Sequence, residues 1–179
     1  NADEINRQIS INTSLTQGVW RDTKINIIDT PGYSDFFGEV VGSMRVLDTA
    51  FLVVSAASGV EVGTELGWQE AEKNKVPRFF VINKLDRENI DFDNVFEGLV
   101  ETFGHHVVLA QFPVEVGPNF DSVIDLFLMK LLKFAKDGSG NFKEEDIPAD
   151  LNDKADDLHL KLVEAVAESD DALMEKFRE

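Results

Sequence analysis

The amino-acid sequence predicts an α/β fold in which helices cover both faces of a mostly parallel sheet. Short runs of β-branched and aromatic residues alternate with longer segments whose apolar residues recur every three or four positions. These two patterns are typical of buried strands and of amphipathic helices, respectively. The connections are short, and motifs containing Gly, Pro or Asn follow two of the strands. An alternating order of strands and helices favours a parallel sheet.

The alternating elements occupy the first hundred or so residues. A mixed polar and apolar segment at 9–19 is expected to form a strand that an irregular segment precedes. Further strands are predicted at 24–28, 49–56 and 78–83, and helices at 36–47, 61–75 and 92–103. Pro77 ends the second helix and Gly104 ends the third. Because residues 49–56 are almost all apolar, that strand is expected to be covered on both faces.

A second, smaller unit of α+β character is predicted from residue 110 onward. Residues 106–116 alternate like a strand, 122–134 are strongly apolar, and 137–141 have the composition of a turn. From Asp153 the apolar positions Leu158, Leu162 and Val166 define an amphipathic helix with an acidic outer face. We therefore divide the chain into residues 1–109 and residues 110–179.

Composition excludes several functional classes. The chain of 179 residues carries 34 acidic and 17 basic residues, a formal net charge of -17, so it is a poor candidate for binding duplex DNA, which requires clustered Lys and Arg. No apolar run approaches the roughly 20 residues that a membrane span needs. The absence of Cys excludes a disulfide scaffold and a cysteine nucleophile, and it suits a reducing cytoplasm.

The first motif follows the strand at 24–28 and consists of Asp29, Thr30, Pro31 and Gly32. A carboxylate at this position can hold a magnesium-bound water. The backbone N–H of Gly32 can approach a terminal phosphate, because glycine has no side chain to obstruct it.

The second motif follows the strand at 78–83 and consists of Asn83, Lys84, Leu85 and Asp86. The Asp86 carboxylate can accept two hydrogen bonds from guanine, through N1–H and the exocyclic amine, a donor pair that adenine lacks. Asn83 can fix the loop and contact the purine, while the stem of Lys84 can stack over the ring. Taken alone, this motif could equally be a polar turn. Because it lies 54 residues after Asp29, and the carboxyl ends of parallel strands share one edge, we expect the two motifs to meet there.

Together these motifs resemble those of the translational GTPases, and most closely bacterial elongation factor G. Further similarity lies in residues 25–32, in residues 45–48, and in Val76, Pro77 and Arg78 before the second motif. Residues 123–125 and 173–177 resemble parts of the insert subdomain that this factor carries within its GTPase domain. The resemblance covers essentially the whole chain. It implies a sheet of the P-loop GTPase type and binding of GTP or GDP with Mg²⁺.

The same resemblance implies roles for single residues. Asp29, Thr30, Pro31, Gly32, Asn83, Lys84 and Asp86 would bind nucleotide. Residues 7–11 resemble the end of the first switch region, which makes the Ser10 hydroxyl a magnesium ligand beside Asp29. Gly32 and Tyr33 would act at the catalytic step. Residues 110–179 would meet the basic stalk protein of the large ribosomal subunit, a role that suits an acidic surface.

Two departures from the family pattern affect the interpretation. The sequence contains no Gly-Lys dipeptide and hence no phosphate loop, so we expect it to be the middle of a GTPase domain that lacks the first strand. We expect such a chain to bind nucleotide weakly or not at all, and to be inactive alone. The second departure is Tyr33, where the elongation factors have the His that orients the attacking water. A phenol, with an ordinary pKa near 10, is a poor base at neutral pH. A loop aromatic packed on the following helix is the alternative interpretation.

The leading hypothesis is part of a cytoplasmic, ribosome-associated GTP hydrolase that drives an elongation or translocation step. The alternative is an acidic protein-binding module that keeps a GTPase-like fold without catalysis. An upstream phosphate loop in the full-length gene would favour the first hypothesis.

Overall fold

The computed structural model describes residues 2–168 and 171–178, and within them the chain forms six α-helices and eight strands. The helices are α1 (Ala2–Arg7), α2 (Phe37–Met44), α3 (Val62–Lys73), α4 (Phe92–Phe103), α5 (Asn152–Ala167) and α6 (Asp171–Arg178). The strands are β1 (Ser14–Trp20), β2 (Thr23–Asp29), β3 (Ala50–Ser55), β4 (Arg78–Asn83), β5 (Gln111–Pro113), β6 (Ser122–Asp125), β7 (Lys130–Phe134) and β8 (Phe142–Glu145). None of the helices in these ranges is long and apolar enough to cross a membrane.

The chain divides into two compact units, and each is described by itself. Unit 1 comprises residues up to Val54 together with Val60–Asn83, and unit 2 comprises Ser55–Gly59 together with the chain from Lys84 onward. The loops that follow β3 and β4 therefore fall in one unit, as the shared edge of two parallel strands requires. The sequence-based boundary at residue 110 marks the start of the predicted insert subdomain. That boundary stays a prediction.

Unit 1 contains a hairpin and a β-α-β element. β1 pairs antiparallel with β2, from Ser14 opposite Asp29 to Trp20 opposite Thr23. The connecting residues Arg21 and Asp22 both have positive φ, 46° and 61°, which a two-residue type I′ hairpin turn requires. β3 and β4 are hydrogen-bonded neighbours joined through α3, the parallel arrangement that such a crossover produces. The predicted α/β fold with a parallel sheet and helices is confirmed.

The strands of unit 1 form two separate two-stranded sheets, since β2 is not hydrogen-bonded to β3. Apolar side chains on the strands are correspondingly exposed: Ile25, Ile27, Phe51, Val53, Phe79 and Val81. The expectation that residues 49–56 are covered on both faces is therefore wrong for this chain, in which Phe51 is 65% exposed. The physical reason is that no described strand or helix covers that face of β3.

The core of unit 1 lies between its helices and the β3–β4 pair. Met44, Ala50, Ala71 and Val76 are buried together, and Val40 and Leu47 pack against them. α3 also contacts β4: the Trp68 ring of α3 stacks on the Phe80 ring of β4, with centroids 5.4 Å apart. The Arg78 guanidinium lies 3.7 Å from the centre of the Trp68 ring on the same surface. Helices α2 and α3 thereby pack against the core that they share with β3.

Unit 2 contains a four-stranded antiparallel sheet in the order β5-β6-β7-β8. The most deeply buried large side chains of its core are Phe112, Ile124, Leu126 and Leu99. His159 of α5 forms a 2.7 Å hydrogen bond with the Leu126 carbonyl oxygen, which attaches the helix to the turn between β6 and β7. The predicted strand at 106–116 is largely wrong: only Gln111–Pro113 is a strand, because just three residues find partners on β6.

Candidate functional site

The first motif lies at the end of the β1–β2 hairpin, in the loop that leads to α2. Asp29 is the last residue of β2 and is exposed, Thr30 is partly buried and Pro31 is buried. Pro31 ends the strand because it lacks a backbone donor. The motif therefore presents an exposed carboxylate at Asp29 and an exposed Gly32 on either side of a buried proline.

Gly32 lies in open space. A Cβ built at this residue would have no atom within 4 Å, and its φ does not fall in the positive range that favours glycine. Nothing within the described chain therefore demands glycine here. The Gly32 carbonyl oxygen lies 3.7 Å from the position of a Cβ on Gly63, which belongs to the first turn of α3. The open space at Gly32 is what a phosphate would need to reach its N–H group.

Tyr33 follows Gly32 in extended conformation, with φ -80° and ψ 136°, and precedes a short 3₁₀ turn at Ser34–Phe36. The Tyr33 carbonyl accepts a 3.0 Å hydrogen bond from the Phe36 N–H. The Tyr33 side chain is 57% exposed, whereas Phe36 and Phe37 are partly buried. That exposure does not favour the alternative of an aromatic side chain packed on the following helix.

Ser10 lies in an irregular segment between α1 and β1, and it is exposed. The Ile11 and Asn12 N–H groups each donate a 3.0 Å hydrogen bond to Oε1 of Glu4. The Thr13 N–H donates a 2.9 Å hydrogen bond to Oε2 of Glu39, on α2. Sequence reasoning placed Ser10 next to a magnesium site but missed α1, Glu4 and Glu39. No sequence signal pairs a glutamate with backbone N–H groups seven or more residues away.

The second motif forms a tight turn after β4. The Arg87 N–H donates a 3.2 Å hydrogen bond to the Lys84 carbonyl, and Leu85 is buried. Lys84 has a φ of 65°, which is uncommon for a residue with a side chain, and strain of this kind is concentrated at ligand sites. Asn83, Lys84 and Asp86 are exposed, as contact with a ligand requires.

Gly117 holds this turn from a distant part of unit 2. Its N–H donates a 2.7 Å hydrogen bond to the carbonyl of Leu85, and its φ is 96°. Sequence analysis did not assign Gly117 a role. The signal that could have found it is the Gly117-Pro118 pair, because Gly-Pro marks a turn with special backbone angles.

Asp29 and Gly32 belong to unit 1, Asn83 is the last residue of that unit, and Lys84 and Asp86 belong to unit 2. The meeting of the two motifs at one edge stays a prediction, as do the roles of the single residues. Within unit 1, the structure links the Ser10 segment to α2 through Glu39 and sets Gly32 beside α3.

The comparison with known families decides what these loops belong to. The model of the elongation factor Tu GTP binding domain matches residues 1–177. The chain belongs to this family of GTP-binding domains. A crystal structure of a protein from Thermus thermophilus is similar over 99% of this chain, with a TM-score of 0.89 and 29% sequence identity. The chain covers 26% of that protein.

Membership of a GTP-binding domain family identifies guanine nucleotide as the ligand to test against the two loops. The Asp29 carboxylate and the Ser10 hydroxyl are both exposed oxygen donors, and Mg²⁺ takes oxygen ligands, usually one or two from the protein with waters and substrate phosphates completing its shell. Gly32 leaves room for a phosphate, and Asp86 offers acceptors for the guanine amine and N1–H. Taken by itself, each loop has suitable chemistry: the first for a phosphate with Mg²⁺, and the second for a guanine base.

Proposed function

We propose that the full-length protein is a cytoplasmic translational GTPase of the elongation factor G type, which hydrolyses GTP on the ribosome. The observation that carries this proposal is the match of residues 1–177 to a GTP-binding domain family, joined to a Gly32 loop that is open to a phosphate. The sequence motifs favour elongation factor G among members of this family. The resemblance to elongation factor G extends beyond the two loops to residues 45–48, 123–125 and 173–177.

In this proposal Ser10 and Asp29 hold Mg²⁺, and the Gly32 N–H holds the γ-phosphate. Bound Mg²⁺ supplies positive charge against the charge that develops on the phosphates. Water attacks the γ-phosphate in line with the leaving oxygen, and Tyr33 orients that water through its hydroxyl. Phosphoryl transfer requires positioning and electrostatic stabilisation more than covalent chemistry, which is consistent with a site built from loops at strand ends.

The experiment compares GTP hydrolysis by the full-length protein with and without ribosomes. Gly32→Ala is the informative variant, because the added methyl meets no atom of the described chain and should leave the melting temperature unchanged. We expect it to lower ribosome-stimulated hydrolysis by roughly 100-fold, because the methyl group would obstruct the approach of the phosphate to the Gly32 N–H, an effect comparable with the loss of a preorganised donor. Gly98→Ala on α4, which also meets no atom, is the matched control and should hydrolyse normally. Ribosome binding without stimulated hydrolysis in the wild type would favour the acidic binding module instead.

We further propose that α5 carries the contact with the large-subunit stalk protein. Its exposed face combines Leu160 and Val163, which are 56% and 36% exposed, with the exposed acidic residues Asp156 and Glu164. Leu160 lies four residues from each of these acids, so all three share one helix face. An apolar centre with an acidic rim suits a basic partner, because complementary charge speeds and orients association.

Titration of the purified stalk protein tests this contact. Leu160→Ala should weaken binding by about tenfold, since an apolar anchor at the centre of an interface contributes more than about 1 kcal/mol. Leu128→Ala, which truncates a leucine of similar exposure in the turn between β6 and β7, is the control. Equal binding by the wild type and Leu160→Ala would exclude α5 as the contact.

A further inference from the structure

Three successive backbone N–H groups beside Ser10 are bound by two glutamate side chains from different helices. The Ile11 and Asn12 N–H groups donate to Glu4 of α1, and the Thr13 N–H donates to Glu39 of α2. On the other side of Ser10, the Ile9 N–H donates a 3.2 Å hydrogen bond to the Glu4 carbonyl oxygen. The backbone is therefore held on both sides of Ser10.

Both acceptors are carboxylates, and bonds from N–H groups to a charged acceptor are stronger than those between neutral groups. The hydrogen bonds of the Asn12 and Ile11 N–H groups lower the pKa of Glu4 to about 2. The Thr13 side chain and its backbone N–H lower the pKa of Glu39. Both residues therefore remain ionised at neutral pH and keep their acceptor strength.

Glu4 and Glu39 connect this segment to different helices. Glu4 connects the segment to α1, which is only six residues long and precedes it directly. Glu39 connects it to α2, across 26 residues of sequence. α2 follows the Asp29, Gly32 and Tyr33 loop through one 3₁₀ turn. The Glu39 bond thus links the segment that bears Ser10 to the helix next to the first motif, in addition to the pairing of Ser14 with Asp29.

We infer that Glu39 is a positioning residue, which sets the Ser10 hydroxyl relative to the Asp29–Gly32 loop through the Thr13 backbone. This inference rests on the proposed GTP hydrolysis with Ser10 and Asp29 at Mg²⁺. We assign Glu39 no contact with nucleotide or metal. Its effect passes through Ser10, so removal of Glu39 and removal of Ser10 should not add.

The test is a double-mutant cycle in the full-length protein, read as ribosome-stimulated GTP hydrolysis at varied Mg²⁺ concentration. Glu39→Ala should raise the Mg²⁺ concentration for half-maximal rate by about 10- to 100-fold, the range found when a residue that orients a metal ligand is lost. Glu39→Gln keeps an oxygen acceptor for the Thr13 N–H and should retain much of the wild-type Mg²⁺ dependence. In the Ser10→Ala background, Glu39→Ala should cause little further change.

Amide hydrogen exchange supplies a readout that does not depend on hydrolysis. Glu39→Ala should speed exchange of the Thr13 N–H several-fold, because its acceptor is gone. Glu65→Ala is the matched control: Glu65 is exposed on α3 of the same unit, and within the described residues its carboxylate has no hydrogen-bond partner. It should change neither the exchange at Thr13 nor the Mg²⁺ dependence.

The outcomes separate the two levels of the inference. If the wild type hydrolyses GTP but the effects of Glu39→Ala and Ser10→Ala on the Mg²⁺ dependence add fully, the positioning role of Glu39 is overturned. The proposed function would then still stand. Unchanged exchange at Thr13 in Glu39→Ala would likewise overturn it. No stimulated hydrolysis in the wild type would overturn the proposed function, and with it the role of Ser10 on which the inference rests.

Discussion

The backbone N–H of Gly117 donates a 2.7 Å hydrogen bond to the carbonyl oxygen of Leu85. Leu85 is buried between Lys84 and Asp86, which are both exposed. One bond from a residue 32 positions away thus fixes the backbone of the loop that we assign to guanine. The centre of the loop is buried at Leu85 and is held by a hydrogen bond from outside its own sequence, an arrangement that suits the proposed binding of a base.

We predict that Gly117→Ala weakens guanine nucleotide binding by the full-length protein. Gly117 has a φ of 96°, and a side chain at such an angle costs about 1 to 2 kcal/mol. Gly138→Ala is the control, because Gly138 has a φ of 72° in the exposed turn before β8. Both variants should unfold at lower denaturant concentration, but only Gly117→Ala should raise the Kd for GDP. Equal Kd values for the two would contradict the anchoring role of Gly117.

Asp86→Asn should shift nucleotide preference from guanine to xanthine. The substitution replaces one acceptor oxygen with an NH₂ group, which would face the donors of guanine but an acceptor of xanthine. A mispaired buried polar group costs about 1 to 3 kcal/mol, and more where a charge is involved. Competition binding of GTP and xanthosine triphosphate measures the change. Glu88→Gln, at an exposed acid two residues along, should keep the original preference. An unchanged preference in Asp86→Asn would refute the assigned role.

The elements that could be predicted from sequence are those bounded by local signals. The strand at Arg78–Asn83 and the helix at Phe92–Phe103 agree with prediction, because Pro77 and Gly104 mark their ends. Asp91 caps that helix by accepting a 3.0 Å hydrogen bond from the Asn94 N–H. These features depend on residues within a few positions of one another, which a sequence displays directly.

The features that sequence analysis missed depend on contacts between distant residues. The six residues of α1 are too few for a helical period to be recognised, and its Glu4 acts on N–H groups seven and eight residues away. The length of β5 is set by its partners on β6 and not by its own alternation. For the site, the roles of the motif residues stay predictions, whereas Glu39 has no sequence signal, and the Gly117-Pro118 pair indicates a turn without showing its contact with Leu85.

The hydrogen bonds of Glu4 should weaken at low pH. Its pKa is lowered from the ordinary value of 4.5 to about 2, so protonation is easier in the unfolded chain than in the folded one. The stabilisation is therefore fully present above pH 4.5 and is lost as the pH falls from 4.5 towards 2. The Ile11 and Asn12 amide resonances should shift over that range in an NMR titration.

Glu4→Gln should remove this titration from the Ile11 and Asn12 resonances. Asp137→Asn is the control, since the Asp137 pKa is also lowered, by the Ser139 side chain and N–H in the turn before β8. That variant should leave both amide titrations intact. If Glu4→Gln retained the same low-pH transition, another group would be responsible for it.

Tyr33 is the residue at which this sequence departs from the elongation factors, and its role can be tested by three substitutions. If a side chain directly after Gly32 positions the attacking water, Tyr33→Ala should slow ribosome-stimulated hydrolysis by about 100-fold, the low end for such a contribution. Nucleotide affinity should change little, because the side chain acts only at the γ-phosphate step. Tyr33→His should restore or raise the rate, since imidazole titrates near neutrality and phenol does not.

An aromatic side chain packed on Phe36 and Phe37 predicts a different pattern. Tyr33→Phe would then be silent, and Tyr33→Ala would lower the melting temperature together with the activity. The 57% exposure of Tyr33 argues that truncation removes little buried apolar area, so we expect the melting temperature of Tyr33→Ala to stay close to that of the wild type. Single-turnover hydrolysis of the three variants, measured beside their melting curves, distinguishes the two patterns. Normal hydrolysis by a well-folded Tyr33→Ala would exclude Tyr33 from the catalytic site, and the water would then have to be oriented by another group.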